Sequence, residues 1–415
     1  MVGSSTAGIL LEYTSRKNAL LLTDIIGVLA TLLSQIPNIW TFLASRLISG
    51  CVTGFNSSLV PQYIQEISPI QLRGKMGMSF GYSINIGIIM GSFLGLFFKE
   101  KPNQYDFYWR FVFLFPLLLT IPRFIFLNIF CNYETPLYYY LKGQEQQCDK
   151  LLNQIYKQDF IAEAKQEVKE QVQQMQKTKQ SYIDMFSSKY IKVVFIGCML
   201  QVFQQWSGIN AVIMYSGQIF GKSIDNFELK NIVSLISNIV LLIAAVASSF
   251  FVNCLGRKTI LMYGALLCSI FQGVLCVISA VDKPGLEGLS VTLIYLYYFA
   301  FNFSLGPVVW LYNAEILPEK GVSIATFSNW CSGFILTLVV PYIKDIYYLF
   351  GYFGIMCLLC YFFVLTIVKE SKGKTKNEID NMYLPNISKT VYELNSNNNV
   401  LGTNAKLECL TQKVQ

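Results

Sequence analysis

Three glutamines lie on one stripe of an apolar segment near the middle of the chain. Gln201, Gln204 and Gln205 stand at positions i, i+3 and i+4, and Gly208 follows at i+7, so all four share one face of a helix. Amide groups in an apolar segment need hydrogen-bond partners. We predict that the stripe faces a polar cavity that binds a small molecule, and hydrogen bonding between neighbouring helices is the alternative.

Two breaks are predicted in the helices that would position these amides. Ser207-Gly208 loosens the first helix and would re-aim the side chain of Asn210, which lies off the stripe. Gly306-Pro307 breaks a second helix, because proline lacks an amide donor and clashes with the preceding turn. We therefore predict hinges at Gly208 and at Gly306-Pro307.

The chain as a whole has the composition of a membrane protein. Of its 415 residues 53% are hydrophobic and 14% are charged, about half the charged share of a soluble domain. Ten apolar stretches span about residues 18–36, 40–64, 76–98, 109–131, 192–214, 229–252, 259–281, 290–312, 323–343 and 347–368. Each is long enough to cross a ~30 Å hydrocarbon core, and they lack the alternation of barrel strands, so we predict membrane-spanning helices.

Several classes of function are excluded by what the sequence lacks. There is no histidine, and the eleven cysteines show no spacing typical of a zinc site or a disulfide framework. No nucleophile with a base and no phosphate loop is present, so we predict no catalytic residues, no metal, no cofactor and no enzyme. The net charge of +7 comes from basic residues scattered between apolar stretches, which argues against nucleic acid as a partner.

Three landmarks recur in order at a separation of about 240 residues. They are a basic pair (Arg16-Lys17, then Arg257-Lys258), a Y-x-x-E-x-x-P (containing Glu66, then Glu315) and a lone glutamate (Glu134, then Glu370). Two parallel repeats joined by a long polar link are typical of the major facilitator architecture. The predicted fold class is therefore all-α, a polytopic membrane protein with two six-helix pseudo-repeats.

The repeat predicts the domain organisation. Residues 1–131 form the N-terminal helical half, 132–191 a cytoplasmic linker with short helices, 192–370 the C-terminal six-helix half and 371–415 a disordered cytoplasmic tail. Two apolar stretches precede Arg257, whereas only half of one precedes Arg16. We therefore expect an N-terminally truncated chain whose first half lacks the first helix and part of the second.

Charged residues of opposite sign stand at helix ends in both copies of the repeat. They are Arg16, Glu66, Arg73, Glu134, Arg257, Glu315 and Glu370. The distribution of basic residues places them on the cytoplasmic side. Exposed ion pairs are worth only about 0–1 kcal/mol each, so a role in topology and solubility is the simpler explanation, but their recurrence favours gating.

The motifs taken together resemble those of the sugar porters of the major facilitator superfamily, which include the facilitative glucose transporters. Residues 204–210 resemble Q-Q-x-S-G-I-N, residues 306–310 resemble G-P-x-x-W, and Arg73-Gly74, Glu134-Thr135-Pro136 and residues 370–375 resemble the cytoplasmic signatures. The resemblance covers about residues 1–380 and implies that Gln204, Gln205 and Asn210 bond to sugar hydroxyls. It also implies that Trp310 and Trp330 line the cavity, although tryptophan is commonly an interfacial anchor, and that the charged sets clasp the halves while the outside is open.

Four positions depart from the pattern of polar residues in that family. Gly81 replaces a glutamine, Leu241 an asparagine, Asn302 an acid and Gly333 an asparagine. Because buried polar groups matched to a ligand determine specificity, these departures bear on the choice of substrate.

We therefore expect transport of a hexose-like sugar by alternating access, with uniport favoured over proton symport. The alternatives are a transporter of a polyol, pentose or other small organic solute, and a non-transporting sensor or inactive truncated product. The expected partners are the sugar and the lipid bilayer, with protons left open and a monomer favoured. The expected location is multi-pass in the plasma membrane, with an intracellular membrane as the second choice.

Overall fold

The computed structural model describes residues 1–69, 72–97, 107–177, 181–213, 227–281, 285–343, 345–374 and 376–383, and all regular structure in these ranges is helical. The N-terminal half contains α1 (Val2–Tyr13), α2 (Arg16–Leu33), α3 (Ile39–Ile67), α4 (Arg73–Gly77), α5 (Ser79–Gly95), α6 (Tyr108–Leu114) and α7 (Leu117–Ile129). The linker contains α8 (Pro136–Leu141), α9 (Glu145–Ile155), α10 (Gln158–Lys177) and a 3-10 turn (Ile183–Phe186).

The C-terminal half begins with α11 (Ile191–Trp206) and α12 (residues 209–213). It continues with α13 (Phe227–Leu255), α14 (Arg257–Val281), α15 (Glu287–Phe303), α16 (Leu305–Ile316), α17 (Glu319–Val339), a 3-10 turn (Val340–Tyr342) and α18 (Ile346–Thr366). A short helix, α19 (Lys376–Tyr383), follows. Each of the ten apolar stretches predicted from the sequence is mainly helical where it is described, with short non-helical breaks such as those at residues 115–116, 207–208 and 304.

Within the described residues, seven helical stretches are long and apolar enough to cross a bilayer. They are Arg73–Gly95, Tyr108–Ile129, Ile232–Leu255, Arg257–Val281, Gly288–Ile316, Glu319–Tyr342 and Ile346–Thr366. Large apolar side chains such as Phe250, Ile355 and Phe362 lie exposed on their outer faces. Exposed apolar surface on this scale is expected where the solvent is lipid.

The two halves meet along two seams. On one seam α5 packs against α13 and α16, and on the other α1 and α3 pack against α17. The close approach of α5 depends on glycine, since a side chain at Gly81 would collide with Pro307 and one at Gly77 would collide with Leu311. Small residues of this kind let membrane helices approach each other closely.

The linker helices form a small unit beside the N-terminal half. Cys148 and Leu152 of α9 pack against Ala164 of α10, and burial raises the pKa of the Cys148 thiol to about 11. Arg73, at the start of α4, is paired with Glu167 of α10 at 3.1 Å. The linker is therefore attached to the membrane helices through an ion pair.

The tail that was expected to be disordered from residue 371 begins with folded structure. Ile379 and Tyr383 of α19 are buried against the C-terminal half, and the Tyr383 hydroxyl bonds to the Tyr312 hydroxyl at 2.6 Å. The prediction was wrong for these residues because two apolar side chains suffice to dock one short amphipathic helix. Residues 384–415 lie outside the described part of the chain.

Candidate functional site

Four amide side chains meet between α11 and α17. Asn329 donates through Nδ2 to the Oε1 atoms of Gln201 and Gln204, each at 2.7 Å, and its Oδ1 accepts from Nε2 of Gln205 at 2.9 Å. All four side chains are less than a tenth exposed. The glutamine stripe thus faces a polar partner, and that partner is a residue that was not selected from the sequence. The available signal was an amide in the middle of an apolar segment.

The cluster extends to both predicted helix breaks. Gln204 donates through Nε2 to the carbonyl oxygens of Leu305 at 3.2 Å and Gly306 at 2.8 Å. Asn210 donates through Nδ2 to Oε1 of Gln205 at 2.9 Å, and its own side chain is exposed. The structure therefore brings Gln204, Gln205 and Asn210 together.

The first break lies at Gly208, between α11 and α12. Gly208 has φ of +86°, which favours glycine, and a side chain there would collide with the Phe353 ring. The carbonyl of Ser207 accepts from Nε2 of Gln272 at 2.7 Å and from the hydroxyl of Tyr297 at 2.9 Å. These two buried donors stabilise the interrupted helix.

The second break lies at Ser304, three residues before the proline that causes it. Ser304 separates α15 from α16 with φ of −128° and ψ of −88°. Gly306 and Pro307 lie in the first turn of α16, where an amide donor has no partner within the helix. The predicted position was therefore displaced, because the proline ring clashes with the carbonyl four residues earlier, that of Phe303.

The two tryptophans have different surroundings. Trp310 is 9% exposed and packs edge-to-face on Phe80 of α5, with ring centroids 5.4 Å apart. Trp330 is half-buried, and its buried indole nitrogen finds no acceptor among the described residues. Trp310 thus lies where the two halves meet, next to the second break, and Trp330 follows Asn329 on α17.

The predicted arginines and glutamates form ion pairs within each half and across the two halves. Arg257 pairs with Glu315 at 2.6 Å within the C-terminal half, and Arg16 pairs with Glu66 at 3.1 Å within the N-terminal half. Arg16 also pairs with Glu319 of α17. Among the described residues, Glu319 is the acid that links Arg16 to the opposite half, and it was missed because its distance from the arginine in sequence gives no hint of proximity.

The two lone glutamates bind the starts of helices. Glu134 accepts from Oγ of Ser15 at 2.5 Å and from the backbone amide of Lys17 at 3.1 Å, at the start of α2. Glu370 accepts from the backbone amides of Arg257 and Lys258, both at 2.9 Å, at the start of α14. Carboxylates in this position satisfy free amide groups and interact favourably with the helix dipole.

Two of the departures also have a visible consequence. Gly81 allows α5 to pack on Pro307, and a side chain at Gly333 would come within 3.3 Å of the Gln205 carboxamide. Both glycines border the region between the amide cluster and the second break.

The described residues contain no group of His, Cys, Asp and Glu that could hold a metal ion.

The family model described as "Sugar (and other) transporter" matches residues 1–383. This chain belongs to that family. With seven helical stretches able to cross a bilayer, the chain is an integral multi-pass membrane protein. It is 28% identical over 396 residues to hexose transporter 1 of Plasmodium yoelii yoelii, covering 90% of this chain and 78% of that protein. It is 30% identical over 402 residues to a facilitated trehalose transporter Tret1-2 homolog of Drosophila sechellia, covering 92% and 79%.

The fold of this chain matches solved structures of the major facilitator superfamily. The proton:xylose symporter XylE bound to 6-bromo-6-deoxy-D-glucose has a TM-score of 0.82 at 23% identity, covering 92% of this chain and 86% of that one. The inward-open conformation of XylE from E. coli has a TM-score of 0.66 at 24% identity, covering 92% and 87%. The predicted all-α major facilitator fold is confirmed.

Proposed function

We propose that this chain carries a hexose-like sugar across the membrane by alternating access. The observation that carries the proposal is the amide cluster on Asn329, which contacts both helix breaks at once. Amides offer donors and acceptors to sugar hydroxyls, and Trp310 at the second break offers a flat apolar face. A ligand bonded to Gln204 or Gln205 would therefore act directly on the two places where the helices bend.

The contacts on the cytoplasmic side support the alternating-access part of the proposal. Arg16 reaches Glu319 across the two halves, and Gln62 of α3 donates to the backbone carbonyl of Glu319 at 3.3 Å. These contacts join the two halves at this end of the helices. Opening toward the cytoplasm would require them to separate.

The neutral residues of the described site favour uniport over proton symport. The cluster is built from neutral amides, and Asn302 stands where the family pattern has an acid. Asp24 of α2 is a buried acid of the N-terminal half, and Arg123 of α7 binds it with an Nε–Oδ1 distance of 2.8 Å. Asp24 therefore already has a cationic partner, and it lies on a different helix from the amide cluster.

The decisive experiment is uptake of labelled D-glucose into vesicles that contain the purified chain. We expect saturable uptake that a pH gradient leaves unchanged. Gln205→Ala should raise the KM about tenfold, since a buried hydrogen-bonding group is lost and Asn329 and Asn210 lose their partner. The matched control is Gln166→Ala on the exposed face of α10, which should leave the KM unchanged.

Two outcomes would replace this proposal. Uptake of a pentose or polyol that D-glucose does not inhibit would favour a transporter of one of those solutes. They are the second candidate because Gly81 and Gly333 replace polar residues of the family pattern. Binding of sugar without any flux would instead favour a sensor. Acceleration of uptake by an inward proton gradient would overturn uniport and leave the sugar substrate in place.

A further inference from the structure

Two asparagines from opposite halves bond to each other beside the second helix break. Asn302, in the last turn of α15, donates through Nδ2 to Oδ1 of Asn85 on α5 at 2.9 Å. The same Nδ2 group donates to the backbone carbonyl of Leu241 on α13 at 3.0 Å. Both asparagine side chains are 6% exposed. They form a buried hydrogen bond between two side-chain amides that crosses the seam between the halves.

This pair is continuous with the amide cluster. A side chain at Gly306 would collide with Oδ1 of Asn302, so that oxygen lies directly against the Gly306 backbone. The carbonyl of Gly306 accepts from Gln204 at 2.8 Å. One turn before Asn85, Gly81 packs on Pro307. Asn85 and Asn302 therefore border the same break to which Gln204 is bonded.

Two departures from the family pattern act together to create the pair. An ionised acid at position 302 has no donor, so it could bond neither to Asn85 Oδ1 nor to the carbonyl of Leu241. A glutamine at position 81 would hold α5 away from Pro307, and with it Asn85 away from Asn302. The chain therefore gains a neutral amide pair where the pattern predicts a loss of polar groups.

We propose that Asn85 and Asn302 form a second hydroxyl-binding pair of the substrate site, with one residue from each half. When their mutual bond opens, Asn85 offers an acceptor and Asn302 offers a donor. A hydroxyl group has one donor and two acceptor positions, so a single hydroxyl inserted between them satisfies both. The inference rests on the proposed function and deepens it, since it assigns one hydroxyl of the sugar to a bridge between the halves.

The test measures binding of D-glucose and its monodeoxy analogues to the purified full chain. Asn85→Ala and Asn302→Ala should each weaken D-glucose binding about tenfold, as expected for loss of one buried hydrogen bond with its partner left unpaired. For one analogue, which lacks the bridging hydroxyl, both variants should leave the affinity unchanged. The analogue whose affinity is unchanged should be the same one for Asn85→Ala and for Asn302→Ala.

The matched control is Asn238→Ala, which removes a second hydrogen bond to α5. Asn238 of α13 donates to Oγ of Ser92 on α5 at 2.7 Å, two helical turns from Asn85 along α5. This bond also crosses the halves but lies away from the amide cluster. We expect the control to change the affinity for every sugar by one common factor, or not at all.

A purely conformational role for Asn85 and Asn302 would give a different result. Equal losses for D-glucose and all analogues, or no loss, would overturn the inference while sugar binding by the unsubstituted chain stands. An unsubstituted chain that binds none of the sugars would overturn the proposed function itself and the inference with it. If an alanine variant does not fold, Asn85→Ser and Asn302→Ser provide the same comparison with a polar side chain retained.

Discussion

The two copies of the basic-pair motif fold into different kinds of ion pair. In the C-terminal half, Arg257 and Glu315 are both nearly inaccessible, with side chains 5% and 6% exposed. The carboxylate also accepts from the hydroxyl of Ser371 at 2.6 Å. The ion pair joins α14 to α16 within the C-terminal half.

The N-terminal copy is shared between the halves. Arg16 bonds to Glu66 through Nε at 3.1 Å and also pairs with Glu319 of α17, whose side chain is 25% exposed. One arginine therefore serves both its own half and the opposite half. The comparison teaches that one sequence motif can form an ion pair inside one half in one copy and, in the other, a contact that must break under the proposed alternating access.

The largest effect should come from breaking the ion pair inside the C-terminal half. Glu315→Gln leaves the buried charge of Arg257 without its counter-ion, and we expect a loss of about 3–5 kcal/mol in the free energy of unfolding. Glu66→Gln should cost clearly less, because Arg16 retains Glu319. Thermal unfolding of the two variants in detergent micelles measures the difference. Equal losses would contradict the distinction between the two copies.

Breaking the shared contact should change conformation more than stability. Glu319→Gln weakens a partly exposed pair, worth about 1 kcal/mol, so the share of chains open to the cytoplasm should rise about fivefold. The readout is labelling of Gln62→Cys by a membrane-impermeant thiol reagent applied from the cytoplasmic side. The Gln62→Cys chain with Glu66→Gln in place of Glu319→Gln is the control, since Glu66 lies within one half. Unchanged labelling in the Glu319→Gln chain would show that this pair does not hold the seam.

Removing the glutamate cap should cost more stability in the C-terminal half than in the N-terminal half, as for the ion pairs. Glu370→Gln should destabilise the chain by about 1–2 kcal/mol, and Glu134→Gln by about half as much. The reason is that Ser15 also caps α2 by accepting from the amide of Asn18 at 3.3 Å, whereas Gly256 before α14 has no side chain. Thermal unfolding of both variants measures the ranking, and the reverse order would refute the explanation.

The smallest effect is expected at the linker. Glu167→Gln removes the partner of Arg73, and a partly exposed pair of this kind contributes less than about 1 kcal/mol. We expect unchanged thermal unfolding but faster proteolytic cleavage within α8–α10. Cleavage as slow as in the unsubstituted chain would mean that packing alone holds the linker.

Much of the fold and part of the site could be predicted from the sequence. Apolar length and the absence of alternation were enough for the helices, since lipid forces each segment to satisfy its own backbone. The spacing of Gln201, Gln204 and Gln205 was enough to place them on one face. The break at Ser207-Gly208 followed from local chemistry, and so did the second break to within three residues.

Only the tertiary structure determined which segments far apart in the chain contact each other. Asn329 at the centre of the amides, Glu319 opposite Arg16, and Asn85 opposite Asn302 each depend on how one helix is placed along and around another. Local periodicity fixes which face of a helix a residue occupies, but not which residue of a distant helix lies opposite it. That choice is made by packing, here by glycines such as Gly81 that allow two helices to touch.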